Sequence, residues 1–411
     1  MIADVNEQVI SNSAECPAGH MRKTLDPMPK YDPIEILDDG TWRINGFSEV
    51  RQVLRNDIAG QAGFSAENAI KNAGGLMKNP PILYLEGEEH HKARRETNRF
   101  FTPNVTNRDY REFMNEYADE LIARLKQEKQ ADLSDLSMDM AVQVASKIVG
   151  LTDSIFPGIK PRLEALIKTG DDMINGKPSF LGAMQGNWNM LAFYISDVRP
   201  AIRNRRKNPQ EDVISYLIGR GYADFEMMTE CIVYGVAGMV TTREFISVAM
   251  WHLLENPRLM ERMKVGEEAE RYAILHEILR LEPVVAHLYR RTSQELTIQS
   301  DGKDVIIPAN TKLDLNVGVA NIDDSVMGDN ASAVCPARDM AELRPKVPAY
   351  GMSFGDGSHR CPGAYVAIQE SDIFIRKLLE VDGLRIEKKP SIGYMEIAES
   401  YELRDFILAV D

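Results

Sequence analysis

Residues 226–255, EMMTECIVYGVAGMVTTREFISVAMWHLLE, constrain the fold more than any other stretch of the chain. As one helix this segment would span roughly 45 Å. Apolar side chains occupy nearly every face of it through Val248. Such a helix must be covered on all sides, so it is expected at the centre of a large helical fold. Gly235 and Gly238 lie within it at a cost relative to alanine, which implies that something near its middle needs the space.

The surrounding sequence agrees. From about residue 104 to 285, apolar residues recur at three- and four-residue spacing, as in EFMNEYADELIARLKQE and NMLAFYISDVRPAIRNRR. Strand-like alternation is confined to short pieces: 41–44, 296–298, 305–308 and 406–410. No repeat and no Ser/Gly linker divides the chain, so residues 1–411 are expected to form a single domain, mainly α with small β-sheets. The basic run Arg203–Lys207 precedes Asn208-Pro209 and is read as a helix end whose cations complement the dipole; a phosphate site is the weaker reading.

Charge narrows the function classes. With 62 acidic and 48 basic side chains the formal charge is −14, which argues against a general affinity for nucleic acid or for an anionic membrane. The first twenty residues show no basic stretch followed by an apolar one, and no uninterrupted apolar run of about 18 residues occurs downstream. A cytoplasmic protein is the expectation. The four cysteines are scattered without a CxxC pair, so their spacing suggests no zinc site.

One cysteine stands in unusual company. Phe354-Gly355-Asp356-Gly357-Ser358-His359-Arg360-Cys361-Pro362-Gly363 leads into a helical pattern beginning AYVAIQ, with Pro362 able to serve as the first helical residue. The glycines permit a tight loop, and the sulfur faces the unpaired N–H groups of a helix start. Those donors favour thiolate, making Cys361 a candidate nucleophile or metal ligand; the plainer reading is a small buried hydrophobe. The whole stretch resembles the haem-binding loop of the cytochrome P450 superfamily, FGxGxHxCxG, at every fixed position. The resemblance implies a cytochrome P450 fold, a large helical domain plus a smaller β-rich region, with haem b as cofactor and Cys361 as the iron ligand. Phe354, Gly355 and Gly363 would shape the loop around it.

Three further segments match the family in the expected order. Glu277-Ile278-Leu279-Arg280 puts a carboxylate and a guanidinium on one helix face, and is similar to the ExxR pair that supports the cysteine loop. His276-Glu277 also begins like a zincin motif, but Arg280 stands where the second histidine must be. Glu89-His90-His91-Lys92-Ala93-Arg94 looks like the EHxxxR segment, with His90 and Arg94 one helical turn apart. The resemblance implies that His90, Arg94, Arg290 and His359 hold the haem propionates, with Arg291 as the alternative to Arg290. Ala237-Gly238-Met239-Val240-Thr241-Thr242 is similar to the oxygen-binding segment [A/G]Gx[D/E]TT. There Gly238 makes room, and the Thr241 hydroxyl can bond back to the carbonyl of Ala237, loosening the ladder.

Val240 departs from the pattern, because the family usually has Asp or Glu there. A valine cannot relay a proton, so the relay would use Thr241, Thr242 and water, or Glu244 one turn on, although a salt bridge is the plainer role for Glu244. Met239, Val285, Ala286, His287, the 64–77 loop and the turn at 399–401 are expected to border a mainly apolar pocket, with His287 or Glu399 as polar anchors.

The resemblance thus implies a bacterial-type haem-thiolate monooxygenase acting with O2 on a small to medium, mainly apolar molecule. With no flavin or iron–sulfur module in the chain, electrons would come from a ferredoxin and its reductase, docking near Lys92, Arg95 and Arg360. A haem-thiolate enzyme of atypical chemistry, motivated by Val240, and a non-catalytic haem ligand-binding protein are the alternatives.

Overall fold

The computed structural model describes residues 22–25, 31–64, 78–174, 180–328, 330–336, 338, 347–396 and 398–411. Its principal helices are α1 (Phe47–Leu54), α2 (Gly87–Thr97), α3 (Arg111–Glu128), α4 (Leu133–Val149), α5 (Ile159–Ile174), α6 (Phe180–Phe193), α7 (Arg199–Lys207), α8 (Asp224–Gly235), α9 (Thr241–Glu255), α10 (Glu268–Leu281) and α11 (Ala364–Leu379). The long apolar segment is indeed continuous: α8 passes through a π-helical turn at Val236–Val240 into α9. Every residue from Thr242 to Met250 is buried, among α4, α10, α11 and the strand Ser400–Arg404. Asp224–Glu255 is long and apolar enough to cross a membrane, yet here it forms the axis of the helical core.

Local sequence signals set the helix ends. Asp132 caps α4 by accepting from the Ser134 N–H at 2.8 Å. Gly150 closes the same helix at φ +97°, where a Cβ would lie 2.6 Å from the Asp212 carboxylate. The basic run ends α7 at Lys207, with Arg205 drawn inside onto Asp212 and Asp153.

Strands β1 (Ile34–Ile36), β2 (Trp42–Ile44), β3 (Ala59–Gln61), β4 (His287–Thr292) and β5 (Lys312–Asn316) form one sheet in the order β1-β2-β5-β4-β3. The β2/β5 pair is parallel and the others are antiparallel. Its apolar face, α1 and the hairpin 296–307 build a second core around Ile44, Phe47, Leu313 and Leu315. The cysteine loop lies against α1, where a Cβ on Gly357 would meet the Leu54 carbonyl at 2.1 Å.

Candidate active site

The break in the central helix has a specific cause. The Thr241 hydroxyl donates to the Ala237 carbonyl at 2.6 Å, across the π-helical turn. A side chain that competes for a ladder carbonyl loosens the helix there. Ala237 is exposed and Gly238 and Thr241 are half-buried, although the same helix is otherwise wrapped. Gly238 departs from the expectation: a Cβ there would meet only Ala145, at an ordinary 3.7 Å, so alanine would fit.

Other faces of the break point into the core. Met239, expected at the pocket border, is fully buried beside Gly235, because its position on the helix faces the apolar interior. Val240 is equally buried, and Thr242 is buried as well. Glu244 is committed elsewhere: it pairs with Arg243 at 2.7 Å, takes Arg404 at 2.9 Å and accepts from the Leu403 N–H at 2.7 Å. It holds a strand and is not a free acid.

The cysteine loop is a strained turn held from several sides. Gly355 and Gly357 sit at φ +67° and +69°, in the left-handed region. The Cys361 N–H donates to the Phe354 carbonyl at 2.8 Å, and the Phe354 ring meets Tyr350 edge-on at 4.9 Å. The helix starts at Ala364, with Gly363 at its N-cap, two residues after the position expected of Pro362. Cys361 is reached by solvent, yet dense protein surrounds its sulfur, and that burial raises the thiol pKa. The Gly363 N–H and the charges of Arg94 and Arg360 act in the opposite direction.

Behind the loop lies the carboxylate–guanidinium pair. Arg280 is fully buried and bidentate on Glu277, at 2.7 and 3.0 Å. Its remaining donors reach the carbonyls of Asn321, Ala331 and Ala333 at 2.6, 2.8 and 3.0 Å. Glu277 also accepts from Arg338 at 3.3 Å and from the Cys335 N–H at 2.8 Å.

Opposite the loop, α2 presents His90 and Arg94. The Arg94 Nε donates to His90 Nε2 at 3.0 Å, so in the neutral ring the proton sits on Nδ1. Burial, with positive charge from His359 and Arg94 adding to it, drives the His90 pKa down to about 3, which keeps the ring neutral. Its Nδ1 is buried with no acceptor among the described residues. His359 stacks on it, centroids 3.9 Å apart, and also has a buried Nδ1 without a partner, while its Nε2 contacts Glu86 at 3.3 Å.

The strand after α10 separates its two arginines. Arg290 is buried, bonded to Gln61 and to the Tyr289 carbonyl, and its pKa is lowered to about 10 by burial, with Glu86 and Glu399 acting against the shift. Arg291 is half-buried and reaches the Asn310 carbonyl. Val285 and Ala286 are half-buried, Val285 bridging to Ser400. His287 is not a free anchor: its Nδ1 lies 2.7 Å from Asp314, which Arg43 also binds at 2.8 Å. Glu399 accepts from the Phe64 N–H at 2.8 Å, and residues 65–77 lie outside the described residues.

Two neighbouring imidazoles with orphaned buried nitrogens, the half-buried guanidinium of Arg94, the buried one of Arg290 and a sulfur on a glycine loop fit a flat, dianionic, iron-bearing macrocycle. The sequence model of the cytochrome P450 family matches residues 34–271 and 272–382. The chain belongs to the cytochrome P450 family.

Among its relatives, a biotin biosynthesis cytochrome P450 of Bacillus subtilis is 25% identical over 82% of this chain and 82% of its own length. The putative cytochrome P450 YjiB of the same organism is 27% identical over 88% and 87%. The fold matches the crystal structure of P450BioI in complex with a hexadec-9Z-enoic acid-ligated acyl carrier protein, with a TM-score of 0.74 and 22% identity over 92% and 94% of the two chains. This cytochrome P450 is therefore a haem b-dependent monooxygenase of bacterial type.

Sequence reasoning missed three supports of the P450 loop. Asn321 gives its amide to the Arg280 carbonyl at 3.0 Å and to Ser353 at 2.9 Å, and accepts from the Met352 N–H at 2.7 Å. Arg338 completes the Glu277 pair. Asp356 ties the loop to α1 through Arg51 and Arg55, at 3.0 and 2.8 Å, and these cations hold its pKa below the usual carboxylate range. A lone Asn, Arg or Asp carries no spacing signal; only the acid two residues after Phe354 could have been flagged, as an N-cap.

Proposed function

We propose that Cys361 is the thiolate ligand of the haem, that His90, Arg94, His359 and Arg290 bind its propionates, and that Thr241 governs proton delivery on the opposite face. The observation that carries this reading is the orphaned Nδ1–H of His90, a buried donor in a neutral ring that an anionic acceptor would satisfy. Haem b, when bound, supplies the reductive activation of O2 and the transfer of one oxygen atom to a C–H bond. The chain does the rest. The glycine loop aims the Gly363 N–H at the sulfur, which tempers its donor strength. Glu277 and Arg280 keep the loop seated. Thr241 relays a proton: its hydroxyl oxygen accepts one from water while its own hydrogen leaves the Ala237 carbonyl and is given up on the side where haem would bind.

The substrate is a small to medium, mainly apolar molecule, held by Val285, Ala286 and the apolar side of the break. Electrons come from a ferredoxin and its reductase; Lys92, Arg95 and Arg360 are exposed near the cysteine side and would meet an acidic partner. The long apolar helix is interior, which supports work in the cytoplasm. A second reading, atypical haem-thiolate chemistry such as oxidative coupling, peroxide use or rearrangement, is favoured by one observation: with Val240 buried and Glu244 fully paired, no acid of the usual position or of the next turn serves Thr241. The reduced, carbon monoxide-bound protein should show the red-shifted band of thiolate ligation, and Cys361→Ala should lose it. A variant that kept the band would move the ligand elsewhere. Reconstitution with a ferredoxin, its reductase and NADH against a panel of apolar compounds tests the monooxygenase reading through oxygenated product.

A further inference from the structure

The helical rod α6, its π-helical turn Tyr194–Val198 and α7 runs from Phe180 to Lys207 on the outside of the molecule. Its inner face buries Gly186, Phe193, Asp197 and Ile202. Its outer face carries Met184, Trp188, Leu191 and Ile195, exposed by 56, 65, 47 and 40%. The Ile155 N–H donates to the Ser196 carbonyl at 2.9 Å, which brings exposed Ile155 and Phe156 against the end of this ridge. Apolar side chains exposed together in this way mark an interaction surface, whereas apolar residues exposed singly are ordinary.

We propose that the ridge is a two-fold interface at which two copies of this chain pack antiparallel. The steps between the four residues are four, three and four, a series that reads the same in both directions. An antiparallel pairing with its two-fold axis midway between Trp188 and Leu191 uses that property: Met184 of each copy meets Ile195 of the other, and Trp188 meets Leu191. The spacing is also that of a helix–helix seam, two apolar positions per seven residues. Charge agrees with the same register. Asn189 donates to the Ala165 carbonyl at 3.3 Å and to Thr169 at 3.0 Å, which aligns α5 antiparallel to α6 and puts exposed Asp172 level with Met184. Across the two-fold axis that level falls at the second copy's Ile195, and exposed Arg199 follows one turn later. An exposed acid therefore meets an exposed cation twice per dimer, which offsets the repulsion between two chains of formal charge −14. The same net charge disfavours an anionic membrane as the occupant.

Sedimentation velocity of the haem-loaded protein tests this. The wild type should sediment at twice the monomer mass in the micromolar range. Trp188→Glu, checked for an intact haem spectrum, should sediment as a monomer, with dissociation favoured by about 100-fold or more. Arg199→Glu should weaken the dimer, and adding Asp172→Arg should restore it. Met184→Cys with Ile195→Cys should form a disulfide-linked dimer on oxidation, whereas Met184→Cys alone should not. A monomeric wild type, a dimer that survives Trp188→Glu, or equal cross-linking by the single cysteine variant would overturn the proposal. Trp188-dependent co-sedimentation of a monomeric wild type with phosphatidylglycerol vesicles would overturn it in favour of a membrane contact.

Discussion

At the scale of the residue, two neighbours in the central helix carry opposite expectations. Thr241 keeps its hydroxyl on the Ala237 carbonyl beside an exposed patch of helix, so its removal changes what a proton meets there while leaving the surrounding core untouched. Thr241→Ala should keep NADH consumption but lower product per NADH sharply, because positioned proton transfer is worth about 10²–10⁴-fold. Equal coupling in wild type and variant would place proton control elsewhere. Val240 behaves differently. Restoring the acid usual in the family, by Val240→Asp, puts a carboxylate among apolar side chains, because Val240 is fully buried and Arg243 is already paired with Glu244. An unpaired buried charge costs about 3 kcal/mol or more, so the variant should unfold several degrees lower without improved coupling. A tighter-coupled variant of unchanged melting temperature would show that the acid finds a cation.

At the scale of elements, the cysteine loop is joined to the core by a chain of contacts that no single segment contains. Arg280 on α10 holds the Asn321 carbonyl, and the Asn321 side chain grips Met352 and Ser353, next to Phe354, whose carbonyl receives the Cys361 N–H. Gly351, at φ +59°, gives the Asn321 amide its room: a Cβ there would lie 2.3 Å from Oδ1. Asn321→Ala would leave the buried Met352 N–H and Arg280 carbonyl unmet, at about 1–3 kcal/mol each. Haem per chain after gel filtration should fall well below that of the wild type; full retention would show that Arg280 alone seats the loop. This chain also shows what the sequence can and cannot disclose. The buried central helix, the Glu277/Arg280 pair and the glycine turn were legible because periodicity and fixed spacing encode them locally. The burial of Met239 and the pairing of His287 were not legible because helix rotation and strand face depend on neighbours far away in sequence: α4 beside the break, and Asp314 beside His287. Asn321, Arg338 and Asp356 were invisible for the same reason.

At the scale of the whole molecule, charge is distributed unevenly and part of it is held neutral. Lys92, Arg95 and Arg360 are exposed cations on an acidic chain, so association of the proposed acidic electron donor with them should weaken with salt. Lys92→Glu with Arg95→Glu should lower the bimolecular reduction rate about tenfold at low ionic strength and flatten its salt dependence. An unchanged rate would locate docking on another face. Inside, Glu370 on α11 is enclosed with no opposing charge among the described residues, and burial lifts its pKa to about 8; burial lowers His276 on α10 to about 4. Between pH 4.5 and 8 the folded chain keeps the Glu370 proton that the unfolded chain has released, so this group makes stability fall with rising pH, at about 1.4 kcal/mol per unit. His276 acts in the opposite sense, adding stability as pH rises from 4 to 6.5, because only the unfolded ring is protonated there. His90, held near 3, acts as His276 does, and Glu230, lifted to about 7, acts as Glu370 does up to that pH, so from pH 7 to 8 Glu370 is the buried acid whose proton still separates the two states. Glu370→Gln keeps the shape and removes the proton, so its unfolding midpoint in urea should hold nearly level across that window while the wild type declines. Parallel declines in both proteins would mean that Glu370 ionises in place, with a cation or water supplying the partner.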